Sequence, residues 1–330
     1  MGMLGKIAAF VRTWILIFAI IAGVCSYFIY VNIPLLDSTH KAMLSVVEIS
    51  QPLLIFAMLF VTFCKVNPNK LRLCKWHWWL LAFQSGIFLA IGLCVMSLPQ
   101  GGLRVVLEGA MICFICPVAT AAAVVTKKLG GDAAHITTYT ILINIVASIM
   151  IPAVVPFLHP NQSMSVWNAS ALILGKVFPL LLMPLFLAFL VRRLSPRIHF
   201  IVTRQKDLAF YLWVVALFLA TAVTTRFIVH TNVSLAVALW LVAVTFVSCI
   251  IQFMLGWKVG TIYHDRTTAG QALGQKNTVL AIWLGYTFFT PITSVAGGFY
   301  SIFHNIINSY QLYKHRQPKT GKPAANMTNA

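Results

Sequence analysis

Apolar positions in this chain fall in long, unbroken blocks separated by short polar connections. Ten such blocks span approximately 10–31, 44–64, 78–98, 104–127, 133–157, 168–191, 208–230, 233–256, 267–289 and 291–313. A bilayer core of about 30 Å needs roughly 20 apolar residues per helix. Backbone groups in lipid must bond within their own segment, so each block predicts a helix. The blocks are too long and too uniformly apolar for barrel strands. The predicted fold is an all-α integral membrane protein with ten transmembrane helices. Within the first block, the apolar run near Thr13 to Val31 exceeds the roughly 7–15 residues of a signal core and lacks a small-x-small cleavage site. It is read as the first span. Val24 before Cys25 spoils a lipobox, and Lys6 stands where a myristoylation signal wants Ser or Thr.

The polar connections carry the topology. With the N-terminus in the cytoplasm, 19 of the 24 Lys and Arg residues fall on the inside and only Lys41, Arg104 and Arg226 on the outside. Lys176 and Lys276 fall within spans. This asymmetry in short loops is a positive-inside signal, and it puts both termini in the cytoplasm. A bacterial inner membrane suits the compact size. Trp76, Trp78 and Trp79 mark the inner interface before the third span.

Ten spans divide into five and five, and an odd number per half gives two inverted repeats, 1–158 and 159–313, followed by a basic cytoplasmic tail, 314–330. Both halves have their fourth span interrupted. Span four contains Cys116-Pro117, and span nine contains Gly270, Gly274 and the polar run Gln275-Lys276-Asn277. Both interruptions fall near the bilayer midplane, and paired discontinuous helices point to a transporter binding site. A proline kink and a glycine packing face are the plainer reading.

Composition narrows the function. Sixty per cent of residues are hydrophobic, 9% are charged and the mean hydropathy is +0.87. A soluble fold could not cover itself with so little polar surface, and disorder is excluded for the same reason. The net charge of +18 belongs to loops facing anionic lipid and cytoplasm, not to nucleic acid. The seven cysteines are scattered, so no disulfide framework is implied. No metal-spacing cluster, phosphate loop or nucleophile elbow appears. No cofactor is implied.

The chemistry concentrates at the interruptions. Pro117 removes a donor and frees a carbonyl. A helix restarting there would aim its amides at the midplane, which favours an anion. Lys276 is the sharpest residue, because a charge near a helix centre costs about 2.5–3.5 kcal/mol on insertion scales. It is either functional or a structural lysine paired with a carboxylate or carbonyls. The candidate substrate and ion site comprises Lys276, Asn277, Gln275, Gln271, Thr278, Pro117, Thr120, Gln84, Thr140, Asn305 and His304. His304-Asn305 could cap the crossing region by hydrogen bonds. Glu108 could pair with Arg104 at the surface or gate a vestibule, and Glu48 could pair with Lys176 or each could snorkel.

Pro117, Thr120, Ala121, Thr126, Gly131, the run Gln275-Lys-Asn-Thr-Val-Leu-Ala281 and His304-Asn305 resemble the bile acid:sodium symporter family, which includes bile acid and pantoate transporters. Gln84 sits where that family often has a glutamine. The resemblance covers about 45 to 313. It implies a panel of spans one, two, six and seven and a core of spans three to five and eight to ten. Spans four and nine would cross in the core, with substrate between core and panel.

The departures concern sodium. Where sodium-coupled members usually have Ser-Asn after the Thr-Ala of span four, this chain has Ala122-Ala123. Their span-nine glutamate is replaced by Ala272, and the glutamine before the asparagine by Lys276. Gln84 and Thr140 alone are a poor oxygen set for sodium. The expectation is a secondary transporter of a small organic anion, sodium-independent, with Lys276 standing in for the ion. Transport is then facilitated or coupled to something other than sodium; a proton is one option, since desolvated lysines shift pKa readily. A polytopic membrane enzyme acting on a lipid and a non-transporting sensor of the same fold are the alternatives. The sequence is silent on oligomeric state.

Overall fold

The computed structural model describes residues 18–160, 164–205, 207–230 and 234–316. The start of the first predicted span, Lys206 and the tail beyond Arg316 lie outside the described residues. Among those described, the chain is all helix apart from turns and one isolated backbone bridge. The helices are α1 (Phe18–Val31), α2 (His40–Cys64), α3 (Lys75–Met96), α4 (Gly102–Ile115), α5 (Ala122–Lys128), α6 (Ala133–Leu158) and α7 (Val166–Leu194). They continue as α8 (Pro196–Arg204), α9 (Leu208–His230), α10 (Leu235–Ile262), α11 (Arg266–Gly274), α12 (Thr278–Phe288) and α13 (Ser294–Arg316). Six of them, α2, α3, α6, α7, α9 and α10, are long and apolar enough to cross a membrane. Large apolar side chains such as Leu93, Leu239 and Trp240 face outward, as a lipid solvent favours. These features fit a multi-pass membrane protein.

The predicted fourth and ninth blocks are each split. α4 and α12 have 14 and 11 residues, or roughly 21 and 16 Å, well short of a bilayer core. Each meets its continuation, α5 or α11, at an extended break. Chain chemistry sets the breaks: Pro117 cannot continue a hydrogen-bonded turn, and Gly270 and Gly274 make α11 thin. A Cβ on Gly274 would lie 2.4 Å from the Phe253 ring, and one on Gly256 would lie 2.6 Å from the Ala269 carbonyl. α10 and α11 therefore pack almost backbone to backbone, as small residues allow in membranes.

Three apolar clusters hold the assembly. One joins α2, α4, α6, α7 and α12 through residues including Ile55, Met111, Ile151, Leu181 and Leu280. A second packs Trp76, Tyr139 and Leu273 among α3, α6 and α11. The third packs Cys113, Phe253 and Tyr300 among α4, α10 and α13. Two departures from the predicted pattern stand out. α8 is a short helix between the sixth and seventh blocks, with Ile198, Phe200 and Ile201 exposed among basic residues. Hydropathy windows of span length pass over such an amphipathic segment, which suits a membrane surface. Glu48 and Lys176 do not pair; the Lys176 ammonium lies 6.0 Å from the centroid of the Phe288 ring.

Candidate functional site

The two breaks meet. The Ala119 amide donates to the Gln275 carbonyl at 3.0 Å, and the Asn277 amide donates to the Pro117 carbonyl at 2.9 Å. Val118 and Lys276 thus form an antiparallel bridge in the middle of the helical assembly. Two extended tripeptides satisfy in each other the backbone groups that neither could satisfy inside a helix.

The C-terminal end of α4 shows how the remaining groups are satisfied. A helix leaves its last carbonyls without intrahelical partners. Here the Cys113 carbonyl accepts from Gln252 Nε2 at 3.2 Å, and the Phe114 carbonyl accepts from Lys276 Nζ at 3.3 Å. Gln84 Nε2 donates to the carbonyls of Ile115 at 3.3 Å and Cys116 at 3.1 Å. Gln84 is itself held by Tyr139, whose hydroxyl donates to its Oε1 at 2.9 Å. Three side chains from α10, α3 and the α11–α12 break therefore close the end of α4. Cations are favoured at that end because carbonyl dipoles converge there.

Lys276 is 1% exposed. No carboxylate pairs with it among the described residues. Of the two kinds of partner a structural lysine could have here, a carbonyl, that of Phe114, is the one seen.

The other candidate residues divide into groups. Asn277 caps α12 by accepting from the Leu280 amide at 3.2 Å, and Thr278 is the first residue of that helix. Thr140 donates its hydroxyl to the Ile136 carbonyl at 2.8 Å, within its own helix. Asn305 also turns back, donating to Ser301 at 2.7 Å. His304 is buried edge-on against Tyr300, with ring centroids 5.7 Å apart, and neither ring nitrogen has a hydrogen-bond partner. It does not cap the crossing. Gln271 Nε2 donates to Asn308 and Gln311 on α13. Helix α5 begins at Ala122, five residues after Pro117, because residues 117–119 are used in the bridge.

Thr120 opens onto a cavity of about 690 Å³ between α2 and α9 on one side and α5 and α6 on the other. Lys65, Lys70, Lys127 and Lys128 line it, with Asp207 as the acidic residue. Phe210 and Trp213 supply aromatic wall. Hydropathy does not mark this site because its lysines come from two separate connections, each of which reads as ordinary loop charge. Lys276, itself a member of the bridge, does not line the cavity.

A second polar cluster occupies the opposite end of the protein. Glu108 is fully buried and pairs with Arg104 at 3.2 Å. Its other oxygen accepts from Thr290 at 2.8 Å. His159 Nε2 lies 3.1 Å from Glu108 without the alignment of a hydrogen bond. Arg104 also donates to the carbonyls of Val95, Leu98 and Leu158. The expected surface pair is thus a buried one, tying α3, α4 and α6 to the turn after α12.

The fold and its polar interior define a multi-pass helical membrane protein with discontinuous helices. No protein-family model matches the chain, and no curated protein matches it.

Proposed function

We propose that the chain is a secondary transporter that moves a small organic anion by alternating access. In this reading it is a divergent relative of the bile acid:sodium symporters in which Lys276 replaces a bound cation. The observation that carries the reading is the cavity with Lys65, Lys70, Lys127 and Lys128 in its walls and Thr120 at the crossing. Its volume, about 690 Å³, suits a small molecule, for which sites of roughly 300–1,000 Å³ are usual. Four lysines against the one aspartate, Asp207, leave the walls net positive, and a cleft of one net sign between low-dielectric walls concentrates the opposite ion.

The ten blocks then form two inverted five-helix halves, with α4–α5 and α11–α12 as the fourth and ninth spans. The cavity separates a panel from a core and opens to the cytoplasm. Rocking the core against the panel would expose Thr120 and the bridge to the other side. Lys276 acts as a positioning residue. Its ammonium offsets the negative end of α4, where the resemblance implies that relatives use sodium. With the carbonyls of Phe114, Ile115 and Cys116 already held by Lys276 and Gln84, their pairing requires no metal.

The test is uptake of radiolabelled taurocholate and pantoate by proteoliposomes, with sodium or with choline outside. Saturable uptake that is equal in both media is expected. A steep loss in choline would overturn the role given to Lys276. Binding without uptake would identify a sensor, and turnover of bilayer lipid an enzyme.

A further inference from the structure

α7 runs for 29 residues, roughly 44 Å, enough to cross the acyl region of a bilayer and its headgroup layers. Its last turn, Arg192-Arg193-Leu194, therefore reaches a membrane surface. Ser195 leaves helical geometry there, at φ −137° and ψ 74°, because the residue before a proline is disfavoured in a helix. Pro196 then opens α8, where its fixed φ suits a first turn. One residue separates the two helices. The nine residues of α8 are too few to cross a bilayer, so α8 sits at that surface.

Contacts with the end of α2 fix the rotation of α8. His199 Nε2 donates to the Cys64 carbonyl at 2.9 Å. Lys65 Nζ donates to the Gln205 carbonyl at 2.9 Å, and Arg192 donates to the Val66 carbonyl at 2.8 Å. Val202 packs against the first apolar cluster. With His199 and Val202 turned inward, the opposite side of α8 is left open. Leu194, Ile198, Phe200 and Ile201 are 51–71% exposed. Arg197 and Arg204, seven residues apart, form a row two turns long, with Ile198 and Ile201 on one flank and Phe200 on the other. Arg193, Arg197 and Arg204 are exposed and have no hydrogen bond or ion pair among the described residues.

The charge on this face is of one sign. The stretch from 133 to 206 holds no Asp or Glu, and the next acid, Asp207, lines the cavity. An apolar face crossed by arginines matches the level at which phosphates overlie acyl chains. Guanidinium and phosphate pair through two parallel N–H bonds. A second copy of this chain would bring the same arginines against it, and like charges facing each other disfavour that contact.

We propose that α8 is a docking helix for anionic phospholipid, with Arg193, Arg197 and Arg204 on headgroup phosphates and Ile198 and Ile201 among the acyl chains. Each basic residue close to an anionic membrane surface strengthens binding about fivefold. A zwitterionic headgroup sets a cation beside each phosphate and gives little of this gain. None of these side chains lines the cavity, so lipid docking holds whatever the cavity carries.

The full chain in nanodiscs provides the test, read by amide hydrogen exchange with mass spectrometry. Discs of phosphatidylcholine are compared with discs containing about one-third phosphatidylglycerol. Phosphatidylglycerol is expected to slow exchange at 200–204 at least tenfold and to leave α10 unchanged. Salt at 1 M, which shortens the Debye length to about 3 Å, is expected to remove most of that protection. The triple variant Arg193→Gln, Arg197→Gln, Arg204→Gln is expected to erase it, with α10 again unchanged. Should the triple variant fail to fold, Arg197→Gln alone is expected to lower the protection about fivefold. Equal exchange at 200–204 in the two kinds of disc overturns the proposal. Inorganic phosphate that protects 200–204 equally well in phosphatidylcholine discs overturns lipid as the source of the phosphate. Protection in phosphatidylcholine discs that appears only with two copies per disc assigns the face to a second copy instead.

Discussion

The ammonium of Lys276 donates to the carbonyl of Phe114, so the one lysine at the crossing is bonded to the end of a half-helix and not to an acid. Two substitutions separate its charge from its hydrogen bond. Lys276→Met leaves the Phe114 carbonyl buried without a donor, at a cost of about 1–3 kcal/mol. Lys276→Gln can keep the donor and lose the charge. Thermal unfolding in detergent is expected to show Met well below Gln. Uptake is expected to fall at least tenfold in both. Near-normal uptake by Lys276→Gln would mean that the charge is dispensable.

Gln84 holds two carbonyls of the same helix end and is fixed by Tyr139. Gln84→Leu strips donors from Ile115 and Cys116 and an acceptor from Tyr139. Its expected cost is about 3 kcal/mol or more, given roughly 1–3 kcal/mol per buried group left unpaired. Tyr139→Phe removes one donor only and is expected to cost about 1 kcal/mol. Equal losses in the two variants would show that the Gln84 bonds to the break contribute little.

The helices and their interruptions were legible because the signals are local. Apolar runs of span length report lipid-facing helices, and Pro117 and the glycines of α11 carry their backbone restrictions wherever they sit. The partners of those breaks were not legible. That Gln84 of α3 and Gln252 of α10 would close α4 depends on helix rotation, which uniformly apolar spans do not encode. For the same reason Glu108 read as a surface residue although it is fully buried. The sequence shows His304 only as a residue type; its place on one face with Asn308 and Gln311 depends on how α13 sits against Gln271. The two pairs of cavity lysines lie far apart in sequence, and only the packing of α2 and α9 beside α5 and α6 brings them to one cavity.

Asp132 caps α6, accepting from the amides of Ala134 at 2.6 Å and His135 at 3.0 Å. Burial pushes its carboxyl up, but the His135 and Ala134 amides and the nearby positive groups outweigh that and hold it below the usual carboxylate range. A depressed carboxyl stabilises the fold fully above its unfolded pKa, about 4, and loses that contribution as pH falls through the lower folded value. Asp132→Ala is expected to cost about 1 kcal/mol at neutral pH. The gap to the parent protein is expected to stay constant from pH 5 to 8 and to shrink below about pH 4. A gap that widens in acid would contradict this sign.

Lys127 and Lys128 lie in the last turn of α5 and in the cavity wall. If the cavity attracts an anion by its field, the double substitution to Ala is expected to raise KM about three- to tenfold at low ionic strength. The effect should shrink as salt shortens the Debye length from about 10 Å at 0.1 M to 3 Å at 1 M. The maximal rate is expected to change little, since neither residue is at the crossing. A salt-independent effect would point to direct contact with the substrate instead.

Arg104 and Glu108 are unequal partners. Removing Glu108 leaves a buried guanidinium that still donates to the carbonyls of Val95, Leu98 and Leu158. Removing Arg104 orphans those three carbonyls and leaves a buried carboxylate with Thr290 and His159. Breaking a buried pair by deleting one partner typically costs about 3–5 kcal/mol. Glu108→Ala is expected near the lower end of that range and Arg104→Ala beyond the upper end. The double variant is expected to stay close to Arg104→Ala, because the arginine's carbonyl bonds, not its ion pair, fasten the ends of α3 and α6. Unfolding of all three in one detergent measures the order. A double variant as stable as the parent would mean that the cluster is an ion pair and nothing more.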